Sequence, residues 1–512
     1  MLESIRPRTD KIKDEPSFVR GKNCIGQEGA PIPEAMKKYA RDGALAFHTP
    51  GHKQGLGAHP LLKELITEQG LREEVSLMEE LDDLHCPEGC IKEAQELAAE
   101  LYGADAAYFM INGTSGAIHA MMMAALRPGD EVLIPRNAHR SMIGGLILTG
   151  AVPVFLQPEI DETLGIAMGL SVEMVERALC EHPRARALAM VSPTYYGVAS
   201  DLRRIAECVH ARDMLLLVDE AHGPHLGFSE ELPVQAMEAG ADLSAVSTHK
   251  LLGAMTQASM LLARKGRISL ERVRSAASLL QSTSPNQLLL ASLDIARLQM
   301  AQSGREMVGK AVRIAEKLRR EINKVEGLFC FGRERMHGSG AFSLDVTKVT
   351  VHVRGLGMSG AEAEHILRHE YKVQCELADA YNVLFLISYA DAEEQAGYLL
   401  ASLRDMAGKY RREQRFAVCV KIPAVPPLRM LPREAFFASS EEVPFLESTG
   451  RIAAEQVMFY PPGIPVLCPG DEITKECVDY IREMQELGLK VVGPQDAKLN
   501  CLRVMKLCQR EH

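Results

Sequence analysis

At 512 residues, 46% hydrophobic and 25% charged, the chain is long enough for about two to four domains and has the composition of a soluble globular protein. Its formal net charge of −10 disfavours nucleic acid or an anionic membrane surface as the main partner. The 12 cysteines are scattered, and the closest set, Cys86 and Cys90, lacks a second pair at zinc-ligand spacing, so they read as reduced thiols of a cytosolic protein.

The first stretch, MLESIRPRTDKIKDEPSF, is charged and has no apolar core, so no signal peptide is expected. Nor is there a run of about 18 apolar residues, since GGLILTGAVPVFL is short and broken by Gly and Pro. Residues 1 to about 40 read as an arm with little periodicity, followed by the Gly-, Pro- and His-rich loop FHTPGHKQGLG (Phe47–Gly57), and arm and loop together are assigned to 1–55. A turn-rich segment, LDDLHCPEG (Leu81–Gly89), leads into a helix in which Ile91, Ala94, Leu97, Ala98 and Leu101 repeat at helical spacing until Gly103. The apolar run AAYFMI reads as a buried strand that opens into NGTSGA (Asn112–Ala117) and a further helix. The Met122 and Met123 pair on that helix is simplest as core filler.

From there strands and helices alternate: DEVLIP, a helix in RNAHRSMIGGLILTG, VPVFLQ, a helix at SVEMVERAL, ALAMVSP, then MLLLVDEAHG and DLSAVSTHK. Such alternation predicts βαβ units and a mostly parallel sheet, an α/β large domain over residues 56–305. A long amphipathic helical stretch follows, from about 288 to 326. AFSLDV, VTVHV and NVLFLIS suggest a smaller α+β domain over 306–420. The Pro-rich KIPAVPPLRMLP then introduces a C-terminal unit, 421–512.

In a parallel sheet ligands bind at the carboxyl ends of the strands, so NGTSG, NAHRS, SPTYYG, DEAHG and STHK are expected to converge on one crevice. GTSG between strand and helix is suited to a phosphate. Glycine admits close backbone approach, Thr114 and Ser115 offer hydroxyls, and the helix start favours an anion. Asp219 closes LLLV, where a carboxylate can cap a helix, bind a metal or pair with a protonated pyridine nitrogen. Lys250 follows 31 residues later at the next strand end, where an amine can form a Schiff base. Phosphate turn, strand-end acid and lysine together are what pyridoxal 5'-phosphate needs. His139 could stack on its ring, and Ser247 and His249 could add phosphate contacts. Two other motifs fit less well. DEAH is also the text of a helicase box. GREMVGKA (Gly304–Ala311) nearly matches a P-loop, but Ala311 replaces the magnesium-binding hydroxyl and no strand precedes it. His222 and His225 with Asp219 lack a further ligand at zinc spacing, so no metal is expected.

FHTPGHKQG, LDDLHCPEG with IKEAQELAAELYGAD, NGTSGA, PRNAHRS, PTYYGV, VDEAHGPHLGF, STHKLLGAMTQASML, STSPNQLLLASLD and YPPGIPVLCPGDEIT together resemble the Orn/Lys/Arg decarboxylases. These are fold type I pyridoxal-phosphate enzymes with an aspartate-aminotransferase-like large domain. The chain is most similar to their short bacterial form, often assigned as arginine decarboxylase.

The resemblance implies that Lys250 is the cofactor's attachment lysine, that Asp219 keeps the pyridine nitrogen protonated, and that His139 stacks on the ring. It places Gly113, Thr114, Ser115, Ser247 and His249 around the phosphate, with Ser284 contributed by a neighbouring subunit of a homodimer or larger assembly. Thr194 and His222 would contact the cofactor's phenolic oxygen or the substrate carboxylate. DEAHG departs at that point from the long forms, which tend to carry a different aromatic there. The implied reaction is decarboxylation of a basic L-amino acid, arginine to agmatine before lysine or ornithine. Glu455, Asp82 and Asp83 are candidates for its distal group, with solvated surface carboxylates as the alternative for each. The lack of the long forms' extra N-terminal domain leans towards polyamine synthesis. An aminotransferase or lyase on the same fold, and a non-catalytic homologue, are the competing readings.

Overall fold

The computed structural model describes residues 27–413, 421–459 and 463–506. The first part of the expected arm, residues 1–26, lies outside them, as do the first three residues of YPPGIPVLCPGDEIT.

Seven strands form the large sheet: β1 (Ala106–Met110), β2 (Glu131–Pro135), β3 (Val152–Leu156), β4 (Ala187–Val191), β5 (Leu215–Asp219), β6 (Leu243–Val246) and β7 (Ser259–Ala263). Their order is β1-β7-β6-β5-β4-β2-β3. The contiguous pairs from β6 to β3 are parallel, and β7 runs antiparallel to both its neighbours. This is the mostly parallel sheet expected from the strand-helix alternation.

The strands are apolar on both faces because both faces are covered. Leu216 and Val218 of β5 enter one core with Leu133, Leu188 and Met260, while Leu215 and Leu217 enter the opposite core with Val132, Ile134 and Leu261. Each Leu or Val buried this way contributes about 1.5–3 kcal/mol. The covering helices include α1 (Pro31–Asp42), α2 (Cys90–Tyr102), α3 (Gly113–Ala125), α4 (Arg140–Thr149), α5 (Val172–Glu181) and α6 (Leu202–His210). Side-chain caps set several starts: Ser171 accepts the Met174 N–H and Asp201 the Arg204 N–H. Helix α1 lies where little periodicity is expected. Its start is set by Pro31, and its inward face, Ile32, Met36 and Tyr39, joins the large core.

A 36-residue helix, α7 (Gln287–Ile322), is capped by Asn286 and runs straight through the expected boundary at 305/306. Leu290 and Leu293 pack into the large domain, while Ala311, Ile314, Ala315 and Leu318 pack into the smaller one. The P-loop-like GREMVGKA is part of this helix, and Gly304 lets Phe228 press close against it. The smaller domain carries the antiparallel strands β8 (Phe329–Cys330), β9 (Lys348–His352), β10 (Leu377–Ala378) and β11 (Asn382–Leu386) in the order β8-β9-β11-β10. In the C-terminal unit the strands Val457–Phe459, Ile464–Leu467 and Val491–Val492 form one sheet beside the helix Lys475–Glu486. Among the described residues, no helix is long and apolar enough to cross a membrane.

Candidate active site

The five polar turns open at the carboxyl ends of β1, β2, β4, β5 and β6 and line one cavity of about 380 Å³. This is the position that a parallel sheet assigns to a ligand. Ala378, Asp379 and Tyr381 of the smaller domain close one side, and Phe459, Ile464, Tyr480 and Met484 of the C-terminal unit supply an apolar end.

Lys250 sits one turn beyond β6, half-buried, with its Nζ 2.8 Å from His222 Nε2 and 5.0 Å from the centre of the Tyr195 ring. Burial lowers its pKa; the Asp219 and Glu376 charges oppose that, and Lys348 reinforces it. His222 follows β5 and is buried, its ring centre 4.1 Å from that of Tyr195. Burial, then the neighbouring Lys250 and Lys348 charges, hold it well below the usual histidine range. A neutral His222 can accept from the Lys250 amine at Nε2, which leaves its buried Nδ1 without a hydrogen-bond partner among the described residues.

Asp219 ends β5 and is buried, accepting the Ala221 N–H at 3.1 Å. Burial pushes its carboxyl up to about 6, with Lys250 opposing. His139 caps α4. Its Nδ1 lies 2.8 Å from Ser141 Oγ and accepts the Ser141 N–H at 3.3 Å. Burial, then Lys250, lowers its pKa to about 4, so its ring is neutral near pH 7.

At the start of α3, Gly113 holds φ +67°, a conformation that favours glycine, and donates its N–H to Gln257 O at 2.9 Å. Thr114 Oγ1 bonds to Ser247 Oγ and lies 2.6 Å from Ser259 Oγ, so three hydroxyls gather beneath the helix amino terminus. Ser115 and His249 line the same end, with His249 Nδ1 2.9 Å from Ala258 O. Thr194 is buried in the turn after β4, where its Oγ1 accepts the Val198 N–H at 3.2 Å. An anion is favoured at such a helix start.

Three expected residues are not brought to this cavity, and Ser284, expected at a neighbouring subunit's site, does not line this chain's own. Ser284 is exposed and bonds locally to Ser282. Asp82 spends both carboxylate oxygens on the N–H groups of Asp83, Glu88, Gly89, Ile91 and Lys92, ordering the turn before α2. Asp83 accepts the His85 N–H, and Glu455 accepts the N–H groups of Gln495 and Arg503. Their carboxylates build backbone turns, a use that hydrophilicity alone does not separate from ligand binding.

Sequence reasoning also missed residues in and behind the site. Tyr195 was inside a quoted motif and carried no titration or ligand signal. Lys348 and Asp345, given no role from sequence, lie outside the cavity but are fully buried and paired at 3.2 Å behind His222. Arg136 joins the crevice to the C-terminal unit, donating to Asp471 Oδ2 at 2.6 Å and Val466 O at 2.9 Å.

Two family models match the chain: Orn/Lys/Arg decarboxylase, major domain, over residues 30–395, and Orn/Lys/Arg decarboxylase, C-terminal domain, over 419–495. The chain is 44% identical to an arginine decarboxylase of Halalkalibacterium halodurans over 94% of this chain and 98% of that protein. It is also 44% identical to an arginine decarboxylase of Bacillus subtilis over 94% of this chain and 99% of that protein. Among solved structures, it resembles a lysine decarboxylase of Francisella novicida with a TM-score of 0.81 at 23% identity, over 94% of this chain and 81% of that one.

Proposed function

The chain belongs to the Orn/Lys/Arg decarboxylase family and is a decarboxylase; from that premise we propose that it converts L-arginine to agmatine and CO2 with pyridoxal 5'-phosphate. The observation that carries the reading is the convergence of Lys250, Asp219, His222 and His139 with the α3 amino terminus on one cavity. The substrate is taken from the relatives called arginine decarboxylases, which this chain matches over nearly its whole length.

The residues fit the cofactor. The glycine turn and hydroxyls of Gly113, Thr114, Ser115, Ser247 and His249 suit its phosphate, and the buried Asp219 carboxylate suits a protonated ring nitrogen. The neutral His139 ring suits its face, Lys250 its aldehyde, and Thr194 with His222 the phenolic oxygen or the substrate carboxylate. When bound, pyridoxal phosphate supplies an electron sink for the pair left on Cα as CO2 departs.

The chain's own groups do the rest. Burial keeps more of the Lys250 amine unprotonated near neutral pH, and His222 Nε2 fixes its position. Lys250 Nζ is then placed to return a proton to Cα. The apolar wall of Phe459, Ile464 and Met484 excludes water while the charged carboxylate is lost. Asp82 and Glu455 are engaged by backbone N–H groups and do not line the cavity, so neither is kept as the partner of the distal guanidinium. We also propose a homodimer. Leu45, Phe47, Leu56, Leu61 and Leu65 form an exposed apolar set that a second copy would cover, and Ser284 would reach the neighbouring site.

CO2 release measured with arginine, lysine and ornithine side by side tests the substrate, with arginine expected to be fastest. Equal release from all three overturns the arginine reading. Amino transfer to a keto acid without CO2 release makes the protein an aminotransferase. Purified protein should show an absorbance band near the visible edge that Lys250→Ala abolishes; its absence after reconstitution removes the cofactor reading.

A further inference from the structure

A buried lysine that contacts no ligand cavity calls for an account, because burying an ammonium costs several kcal/mol unless it is paired. Lys348 begins β9 in the smaller domain and is 1% exposed. Its Nζ lies 3.2 Å from Asp345 Oδ2 and donates to the backbone carbonyl of His222 at 3.4 Å. Asp345 is also fully buried. It accepts the Thr347 N–H at 3.0 Å and the Thr347 hydroxyl at 2.6 Å, and its Oδ2 lies 3.2 Å from His225 Nε2.

The turn 345–348 is therefore gripped by two large-domain turns. The DEAHGPH turn supplies His222 and His225. The PTYYG turn supplies Gly197, whose carbonyl accepts the Asp345 N–H at 2.8 Å. Gly197 is where the two come closest: a Cβ there would lie 2.6 Å from Asp345 O and 2.9 Å from Lys348 Cγ. The chain of contacts runs from Asp345 to Lys348, through His222, and ends at Lys250 Nζ.

We infer that Lys348, held by Asp345, is a positioning residue of the smaller domain that fixes His222 against Lys250 and sets the protonation of the Lys250 amine. The inference rests on the reading of Lys250 as the reactive amine. Lys348 touches neither the cavity nor the reacting atoms and acts through His222 and through its charge.

The charged and titratable groups around this unit act in known directions. His222 faces Lys250, Lys348 and His139, which lower its pKa, and Asp345, which raises it. Lys250 faces Asp219 and Glu376, which raise its pKa, and Lys348, which lowers it. The Lys348 and His225 charges and the Thr347 hydroxyl hold Asp345 far below the usual carboxylate range against its burial, so the ammonium has a fixed counter-charge. Removing the ammonium should raise the Lys250 pKa. A unit charge at about 10 Å and an effective dielectric of about 20 moves a pKa by about one unit.

The test uses cofactor-free full-length protein. Reductive methylation by formaldehyde with cyanoborohydride as the hydride donor, followed by mass spectrometry of the Lys250 peptide, gives the pH midpoint of amine reactivity. The midpoint is expected to rise by about one pH unit in Lys348→Met and to stay raised in Lys348→Met/Asp345→Asn, which leaves no buried charge unpaired. If the single variant does not fold, the double variant decides. A midpoint within about 0.2 pH unit of wild type in the folded variants overturns the proposal, even where thermal stability falls, because Lys348 is then structural only. The measurement needs no turnover. A protein that releases no CO2 from arginine but shows the shift keeps this inference and loses the proposed function, and the reverse outcome separates them the other way.

Discussion

Asp219 has its folded-state pKa raised by burial from 3.8 to about 6, with Lys250 opposing. A carboxyl raised in this way favours folding below its unfolded value, and that contribution is lost as pH climbs through about 6. A shift of this size corresponds to about 3 kcal/mol. Cofactor-free Asp219→Asn is therefore expected to be more stable than wild type at pH 8 by up to about 3 kcal/mol, and no more stable near pH 3, as urea titrations at the two pH values will read. The same substitution should abolish most turnover in the reconstituted enzyme, a trade between function and stability common at active sites. Asp82 gives the complementary case. Asp82→Ala frees the backbone donors it now satisfies and should cost about 2 kcal/mol or more, while KM for arginine stays unchanged because the residue is outside the cavity. A large rise in KM without loss of stability would return Asp82 to the substrate site.

Single elements were legible where local chemistry alone decides them. The apolar runs LLLV and LSAV are strands because both faces of the sheet are covered, and their closing Asp219 and Ser247 sit at the crevice for the same reason. GTSG was legible because few residues other than glycine adopt φ +67° at the start of α3. What was not legible depends on contacts distant in sequence. Asp345 and Lys348 have no local signal, and their burial arises only because the DEAHGPH and PTYYG turns close over them. Helix α1 was a different kind of miss, because Ile32, Met36 and Tyr39 stand at i, i+4 and i+7 behind Pro31, a local helical signal that the expected arm passed over. Gly197 tests that closure directly. Its φ of +86° disfavours a side chain, and a Cβ would strike Asp345 O, so Gly197→Ala should cost about 2 kcal/mol or more in stability. It should also lower kcat in the loaded enzyme, since the 345–348 turn could no longer seat behind His222. Unchanged melting and turnover would show that the turn has room to spare.

Three units share one cavity, and the buried Arg136–Asp471 pair ties the third to the first. Breaking such a pair from one side leaves a charge stranded, at a cost of about 3–5 kcal/mol. Asp471→Ala is therefore expected to lower the denaturant midpoint sharply and to raise KM for arginine as the wall of Ile464 and Val466 loosens, while Arg136→Met/Asp471→Asn recovers much of the stability. Equal losses in the single and double variants would remove the pair from this role. At this scale the expected division at 305/306 falls inside α7, where the helical pattern carries no signal of which core each turn packs into. That helix has a mechanical consequence. At about 1.5 Å per residue its 36 residues make a shaft of about 54 Å, anchored in the large domain by Leu290 and in the smaller one by Ile314. A bend of about 5° at its middle, where Gly304 rests on Phe228, swings the far end by about 2 Å. The Lys348 contact with the His222 carbonyl spans 3.4 Å, so that stroke is long enough to disengage it. A helix of this length would thus act as a lever, and any flexing of it would be felt at the Lys348 contact behind His222.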